Sequence, residues 1–143
     1  MKNMFLLVLL TSLVASCTSN ESNLSEDQKI EYADYIDNPT TMEFEEYAFD
    51  FGEVVEGEMV NHTFTFENTG DQNLVLIDVK GSCGCTVPEE WPKHPLAPGE
   101  TGEIKVVFNS KNRVGNALKN VKIEANTKPS ITTLTISGVV KEK

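Results

Sequence analysis

The stretch Val60-Asn61-His62-Thr63-Phe64-Thr65-Phe66-Glu67 decides the fold class of this 143-residue chain. Its apolar or aromatic side chains occupy every second position, and polar side chains occupy the positions between them. Successive side chains of a β-strand point to opposite faces of a sheet, so this alternation predicts a half-buried strand. His62 falls on the apolar side, where we expect it to be partly buried. The following Asn68-Thr69-Gly70-Asp71 predicts a turn, because glycine tolerates positive φ.

Similar strand signals recur on both sides of this stretch, and turn residues separate them at short intervals. The predicted strands span residues 47–51, 60–67, 74–79, 85–87, 104–108, 121–125 and 134–140. The segment 74–79 is the most uniformly apolar, which predicts a strand in the centre of a sheet. No run of helical period interrupts the series. About seven such strands predict a β-sandwich, with a barrel as the alternative architecture.

Residues 47–143 are enough for one hydrophobic core but not for two, so we expect a single domain. The preceding residues 17–46 contain nine acidic side chains and one lysine, and so carry most of the net charge of −10. A segment this charged and this poor in large apolar groups buries too little surface to offset its ordering entropy. The sequence therefore predicts an all-β chain, in which a disordered acidic linker precedes one antiparallel β-sandwich.

The N-terminus has the features of an export signal. Lys2 supplies a positive charge, and the apolar run over residues 4–14 is shorter than the roughly 20 residues that a membrane-spanning helix needs. Small residues follow, and Val14-Ala15-Ser16-Cys17 resembles the lipobox of bacterial lipoproteins. The resemblance implies that residues 1–16 are removed and that Cys17 carries a lipid. A plain signal peptide and an uncleaved anchor are the alternatives.

A lipid on Cys17 would hold the protein to a membrane of the cell envelope, because several acyl chains on one residue anchor it essentially permanently. Thr18 follows that cysteine. It is not the aspartate that resembles an inner-membrane retention signal, so we expect the outer membrane. The side of the membrane stays open.

Five ordered motifs of residues 47–143 resemble one bacterial family. They are Phe49-Asp50-Phe51-Gly52-Glu53, Phe66-Glu67-Asn68-Thr69-Gly70, Ser82-Cys83-Gly84-Cys85-Thr86, Ala97-Pro98-Gly99-Glu100 and Ile136-Ser137-Gly138-Val139-Val140. Together they resemble the domain of unknown function 1573, which is itself similar to the immunoglobulin-like modules of major sperm protein and hydin-type proteins. The resemblance implies an immunoglobulin-like sandwich and often a binding role, although a fold by itself does not confer function.

Cys83-Gly84-Cys85 is the most chemically suggestive motif. If Cys17 is lipidated, these cysteines are the only possible pair, and thiols in an exported protein tend to be oxidised. On an extended strand their Cα atoms would be close to the roughly 7 Å limit for a disulfide, and Gly84 would let the backbone bend. Four interpretations stay open: a structural disulfide or core-facing thiol pair, a redox-active dithiol, a soft-metal site that favours Cu(I), and a partner-binding feature.

The loop Trp91-Pro92-Lys93-His94-Pro95 follows the cysteines by a few residues. His94 is either an accessory ligand that reaches the pair or a solvent-facing loop residue. A structural zinc site is disfavoured, because it needs four ligands. Trp91 either packs at one end of the sandwich or contacts a partner. We assign no catalytic residue, since nothing marks the orienting acid and the oxyanion hole that a cysteine–histidine nucleophile needs.

Two functions remain. Nucleic-acid binding is disfavoured, because acids outnumber Lys and Arg from residue 47 onward by 13 to 10. The first hypothesis is a membrane-tethered, non-enzymatic interaction module that binds an envelope protein or glycan, and it predicts exposed apolar side chains around Trp91 and a buried cysteine pair. The alternative is a thiol-redox or copper-binding protein, which needs both sulfurs exposed, preferably beside His94. No other cofactor is expected.

Overall fold

The computed structural model of the protein describes residues 35–143, and it contains eight strands in that range. They are β1 (Met42–Phe44), β2 (Ala48–Val55), β3 (Met59–Asn68), β4 (Leu76–Gly81), β5 (Thr86–Glu90), β6 (Thr101–Asn109), β7 (Gly115–Ala125) and β8 (Ile131–Lys141). Sheet one has the order β1-β3-β6-β5, and sheet two has the order β2-β8-β7-β4. The two separate sheets both contribute to the main apolar core, and a smaller apolar cluster lies around Phe108, so the predicted sandwich is confirmed and the barrel alternative is wrong.

β3 has the alternation that the sequence predicts. Phe64 and Phe66 are fully buried, and Phe64 pairs in register with the buried Ile104 of β6. His62, on the same face, is partly buried and stacks on Phe49 with 3.6 Å between ring centroids. Its Nε2 lies 2.8 Å from Oε1 of Glu46. The stacking and this polar contact give the histidine a structural role in the sandwich.

The apolar segment 74–79 is not a central strand, contrary to the prediction. Its strand part, β4, lies at the edge of sheet two. Leu74, Val75, Leu76 and Val79 are buried, whereas Ile77 is exposed. At the start of the segment a loop supplies the cover: the backbone N–H groups of Leu74 and Leu96 each donate to the other residue's carbonyl at 2.8 Å.

The predicted boundary between linker and domain at residue 46 is wrong. β1 pairs with β3, and Phe44 is buried with its ring centroid 5.2 Å from that of Phe66. Before the strand, the N–H of Thr40 donates to the carbonyl of Asn126 at 2.9 Å. The acidic composition concealed this strand, because β1 is held by backbone pairing and one buried aromatic ring. The predicted linker residues before position 35 lie outside the described residues.

The pairing is antiparallel among the described strands except for β2, which runs parallel to β8. The register of this pair shifts between Asp50 and Glu53. At the shift Gly52 has a φ of +68°, and its N–H donates to Oδ1 of Asp50 at 2.8 Å. Glycine suits this backbone conformation because it has no Cβ.

The turns and loops gather at two opposite ends of the sandwich. We call one the cysteine end; it comprises residues 56–58, 82–85 and 110–114. We call the other the asparagine end; it comprises residues 69–75, 91–100 and 126–130. The register places them apart, since Met59 at the start of β3 faces Asn109 while Glu67 near its end faces Thr101.

Candidate functional site

The cysteine end contains a disulfide between Cys83 and Cys85, with 5.2 Å between their Cα atoms. The pair lies in a turn between β4 and β5 and not on an extended strand. The N–H of Thr86 donates to the carbonyl of Cys83 at 3.1 Å, which closes the turn. Bending the backbone in this way brings the Cα atoms well inside the roughly 7 Å limit.

Hydrogen bonds anchor this turn to both sheets. The N–H of Ser82 donates to the carbonyl of Asn120 at 2.7 Å, and the N–H of Asn120 donates to Ser82 Oγ at 3.1 Å. On the other side, the N–H of Asn109 donates to the carbonyl of Cys85 at 2.8 Å. A Cβ on Gly81 would collide with the Thr86 carbonyl, so the chain approaches itself there as only glycine allows. The backbone therefore holds the turn independently of the sulfurs.

The two sulfur-bearing residues differ in exposure. Cys85 is 3% exposed and packs with Phe108, Ala117 and Val140. Cys83 is half-buried, and the adjacent Gly84 is exposed with open space beside it. Of the two cysteines only Cys83 is thus partly exposed to solvent, and the expectation that a redox or copper-binding protein exposes both sulfurs beside His94 is not met.

The hydroxyl of Thr86 lies at nearly equal distances from the two sulfurs. Its Oγ1 is 3.8 Å from Sγ of Cys83 and 3.9 Å from Sγ of Cys85, and the residue is only 2% exposed. Because a disulfide sulfur carries no hydrogen, the threonine is the only possible donor, and its single hydrogen serves both contacts. Sequence reasoning missed this residue, and the signal available was its place at the end of the Ser82–Thr86 motif.

His94 does not reach the cysteine pair, contrary to the predicted role as accessory ligand. It lines a groove of about 620 Å³ with Thr101 and Gly102, at the start of β6. The carbonyl of Cys85 is instead bound by Asn109 at the end of β6. At a rise of about 3.3 Å per residue, these two places are roughly 25 Å apart. β5 carries the chain away from the cysteines before His94 is reached.

The described residues do not fit a metal centre. Between residues 35 and 143 no group of three or more His, Cys, Asp and Glu side chains is placed to hold an ion. The predicted Cu(I) site needs thiolates, and the disulfide of Cys83 and Cys85 offers none in this state.

Trp91 packs against the core and is partly covered from solvent. The Nζ of Lys93 lies 2.8 Å from the centroid of its ring. Partial removal from water lowers the pKa of Lys93 below its ordinary value. The exposed apolar side chains expected around Trp91 are found elsewhere on the domain.

An exposed apolar surface lies on the outer face of sheet two, toward the cysteine end. Leu118 of β7 is 68% exposed, and Val139 of β8 is 36% exposed. The register pairs Leu118 with Ser137, so Val139 is its diagonal neighbour on the same face. Val55 at the end of β2 and Val114 just before β7 are also exposed. We call these four residues the aliphatic patch. Sequence analysis missed it because the predicted strand began at Val121, which left Leu118 without a register.

The predicted lipid site lies outside the part of the chain that the structure describes. That part begins at residue 35, whereas the export signal and Cys17 precede it. From residue 35 onward, no helix has the length and apolar character needed to cross a membrane.

The sequence profile of a family described as Protein of unknown function (DUF1573) matches residues 42–140. The chain belongs to the DUF1573 family. The match begins at the first residue of β1 and ends within β8, so the DUF1573 domain comprises the whole sandwich. A comparison with curated protein sequences gives no match.

Solved structures share the fold of the DUF1573 domain at low sequence identity. A protein of unknown function from Porphyromonas gingivalis W83 has a TM-score of 0.61 at 14% identity, over 71% of this chain and 47% of the other. The VesB protease of Vibrio cholerae has a TM-score of 0.54 at 13% identity, over 80% and 35%. This chain thus matches less than half the length of either protein.

The ASH / PapD-like domain 7 of human CEP192 matches over its whole length. The TM-score is 0.54 at 14% identity, over 93% of this chain and 99% of that domain. At such identities the likeness concerns the fold alone. It supports an immunoglobulin-like, PapD-like sandwich for the DUF1573 domain.

Proposed function

We propose that this protein is a lipid-anchored envelope protein whose DUF1573 domain is a non-enzymatic interaction module for another envelope protein. In this proposal Cys17 carries the lipid, and the anchor lies in the outer membrane. The observation that carries the binding role is the aliphatic patch, in which Leu118 is 68% exposed on an outward sheet face. Leu118 and Val139 are diagonal neighbours, and exposed apolar side chains that lie close together on a protein surface mark interaction sites, because water contact with them is unfavourable.

The chemistry of the patch favours a protein over a glycan. Its four members are aliphatic, and an ion pair lies among them, with Nζ of Lys141 2.5 Å from Oε2 of Glu53. The register pairs Lys141 with Val55 and Glu53 with Val139. Protein–protein interfaces combine apolar side chains with polar and charged ones in this way. The single tryptophan, a natural platform for a sugar ring, already has the Lys93 ammonium over one face.

The comparisons support this proposal at the level of the fold. A domain of this shape makes up 35% of the VesB chain, so the same sandwich occurs as one part of a longer protein. The CEP192 domain is likewise named as one of several PapD-like domains. Because one fold serves many tasks, the binding role rests on the patch and not on these likenesses.

Site-specific photo-crosslinking in the bacterium of origin tests the binding role. A photoreactive residue at position 118 of the full chain should give a discrete, protease-sensitive adduct. Purified unlabelled chain should compete it away, and Val139→Ser in the same chain should weaken it. The matched control is position 131, because Ile131 is also an exposed aliphatic residue of sheet two but lies near the asparagine end. Equal adducts at both positions, or an adduct that resists protease and yields to glycosidases, would contradict a protein partner.

Metabolic labelling tests the anchor separately. The full chain should incorporate a labelled fatty acid and fractionate with the outer membrane. Cys17→Ser should abolish the labelling and release the protein from the membrane fraction, whereas Cys83→Ser should do neither. Retained labelling in Cys17→Ser would disprove the lipid site without bearing on the patch.

A further inference from the structure

We propose that the Cys83–Cys85 disulfide is a thiol–disulfide exchange site that oxidises the dithiol of another protein. Cys83 is the sulfur that is attacked, Cys85 is the leaving thiolate, and Thr86 stabilises that leaving group. The inference goes beyond the binding role, and it does not depend on the aliphatic patch. It rests on three observations about the cysteine end.

The first observation is that the disulfide closes almost no loop. Its two cysteines are separated by Gly84 alone, with a sequence separation of 2. A cross-link stabilises a fold chiefly by restricting the unfolded chain, and the stabilisation is smaller when the closed loop is shorter. The turn already has its own hydrogen bonds to Asn109 and Asn120. A bond that contributes little to the fold is free to be broken and remade.

The second observation is the unequal exposure of the two residues. Cys85 is 3% exposed, whereas Cys83 is half-buried beside the open space at Gly84. Thiol–disulfide exchange requires the attacking thiolate to approach one sulfur in line with the bond that breaks, and access decides which sulfur is attacked. The geometry leaves Cys83 as the accessible sulfur and places the leaving sulfur inside the protein.

The third observation is the buried hydroxyl of Thr86. Its Oγ1 lies 3.8 and 3.9 Å from the two sulfurs, and the residue is 2% exposed. Disulfide sulfur is a weak acceptor, so this donor is poorly used while the bond is intact. When the bond breaks, Cys85 becomes a thiolate, and hydrogen bonds to ionised acceptors are shorter and stronger. The hydroxyl is therefore poised for the reduced state and for the step that leads to it.

The exchange takes two steps. In the first, a partner thiolate attacks Cys83 Sγ; a partner–Cys83 bond forms, the Cys83–Cys85 bond breaks, and the electron pair leaves on Cys85 Sγ. In the second step, the partner's other thiolate attacks the partner sulfur that is bonded to Cys83. The partner's disulfide forms, the bond to Cys83 breaks, and Cys83 leaves as a thiolate. The partner dithiol is oxidised to a disulfide by loss of two electrons, and both cysteines take up protons from water. A more oxidising disulfide, from a protein or from glutathione, restores the starting state by the reverse steps.

Single-cysteine variants of the full chain test the order of attack, in a Cys17→Ser background that removes the third thiol. Glutathione disulfide is the probe. In Cys85→Ser, the remaining Cys83 should form the glutathione adduct at least tenfold faster than Cys85 does in Cys83→Ser, as followed by mass spectrometry. In denaturant the two rates should converge, which shows that folding causes the difference. Equal rates in the native state, or no adduct in Cys85→Ser, would overturn the proposal.

Threonine variants test the stabilised leaving group. In the chain with both cysteines, Thr86→Val should slow reduction of the disulfide by dithiothreitol about tenfold, because the donor is lost at nearly constant volume. Thr86→Ser should restore the rate, since it returns the hydroxyl. A rate in Thr86→Val equal to that of the unmodified chain would remove Thr86 from the mechanism. The same slow rate in both variants would indicate packing and not hydrogen bonding, and would also contradict the assignment.

Discussion

The asparagine end and the cysteine end of the sandwich are closed by different chemistry. At the asparagine end, Asn68 is fully buried; its Nδ2 donates to the carbonyls of Gln72 and Leu96 at 2.8 and 2.9 Å. Its Oδ1 accepts from the hydroxyl of Thr40 at 2.9 Å and from the N–H of Gly70 at 3.2 Å. One side chain thus satisfies four polar groups from three segments of the chain.

The side chain of Asn126 likewise satisfies backbone polar groups of the neighbouring loop. Its Oδ1 accepts from the N–H of Val75 at 2.7 Å, and its Nδ2 donates to the carbonyl of Asn73 at 2.8 Å. Buried backbone groups must find hydrogen-bond partners, and loops lack the regular partners that strands have. Two buried amides therefore allow the loops of this end to pack into the core.

The cysteine end is closed by apolar contacts, backbone hydrogen bonds and one short covalent bridge. Phe108, Ala117, Val140 and Cys85 form a small core of their own. Cys83 is left half-buried at its margin. The asparagine end is thus held by a saturated polar network, whereas the cysteine end holds a disulfide of which Cys83 is partly exposed. If that disulfide exchanges as we propose, stability and reactivity belong to opposite ends of the domain.

The largest effect is expected from opening the asparagine end. Asn68→Ala should lower the free energy of unfolding by about 3 kcal/mol, because it leaves several buried donors and acceptors without partners. Urea denaturation of the full chain measures this. The control is Asn116→Ala on the exposed side of β7, which should change stability by less than about 0.5 kcal/mol. A loss below about 1 kcal/mol for Asn68→Ala would show that the network is not what closes this end.

At the cysteine end the backbone should matter more than the sulfurs. Gly81→Ala should cost about 2 kcal/mol, because the added Cβ meets the Thr86 carbonyl and must displace the turn. Gly84→Ala is the matched control: the space beside it is open, and we expect a change of less than about 0.5 kcal/mol. Equal effects of the two substitutions in urea denaturation would contradict the close approach at Gly81.

Breaking the disulfide should have a smaller effect than Gly81→Ala. Because the bridge closes a loop with one intervening residue, we expect its reduction to cost less than about 2 kcal/mol. Parallel urea denaturations of the Cys17→Ser chain, with and without reductant, give the difference. A loss of more than about 4 kcal/mol would mean that the bond holds the cysteine end together, and the separation of stability from reactivity would then fail.

The smallest effect is expected between the two ends, at the exposed pair of Glu90 on β5 and Lys105 on β6. Their Oε2 and Nζ atoms are 2.7 Å apart, and the hydrogen bond from Lys105 lowers the pKa of Glu90. A carboxyl group whose pKa is lowered in the folded protein stabilises the fold at a pH above its ordinary pKa. This stabilisation is lost as the pH falls through the lowered pKa of the folded state. Glu90→Gln should therefore lower the Tm slightly at neutral pH and not in acid.

High salt should also abolish this small difference, because exposed charges are screened. The control is Glu89→Gln on the same strand, next to the pair. If Glu90→Gln is as destabilising as Asn68→Ala, the pair contributes far more than an exposed ion pair should. The buried network at the asparagine end would then not be the dominant source of stability.

Much of the fold could be predicted because strand signals are local. The alternation at Phe64 and Phe66 depends only on neighbouring residues, and it marks β3 correctly. β1 could not be predicted in this way, since its partner β3 supplies most of what holds it. The burial of Leu74 likewise comes from a loop whose Leu96 follows 22 residues later in the sequence.

The candidate site was predictable in identity but not in arrangement. The spacing of Cys83 and Cys85 pointed to a pair. That Cys85 is buried and Cys83 only half-buried comes from packing against Phe108 and Ala117. His94 was predicted near the pair because it is close in sequence. The direction of β5 carries it to the opposite end, and sequence distance holds no information about that direction.

By itself the sequence determined the β-sandwich, the family and the two cysteines that can react. Period-two alternation, motif order and residue identity can all be read from neighbouring positions in the sequence. Only the tertiary structure decided which cysteine is partly exposed, that the Thr86 hydroxyl lies beside both sulfurs, and that Leu118 and Val139 are neighbours on an outer face. Each of these depends on segments that the chain brings together from far apart. Register and packing create such neighbours, and no local pattern specifies them.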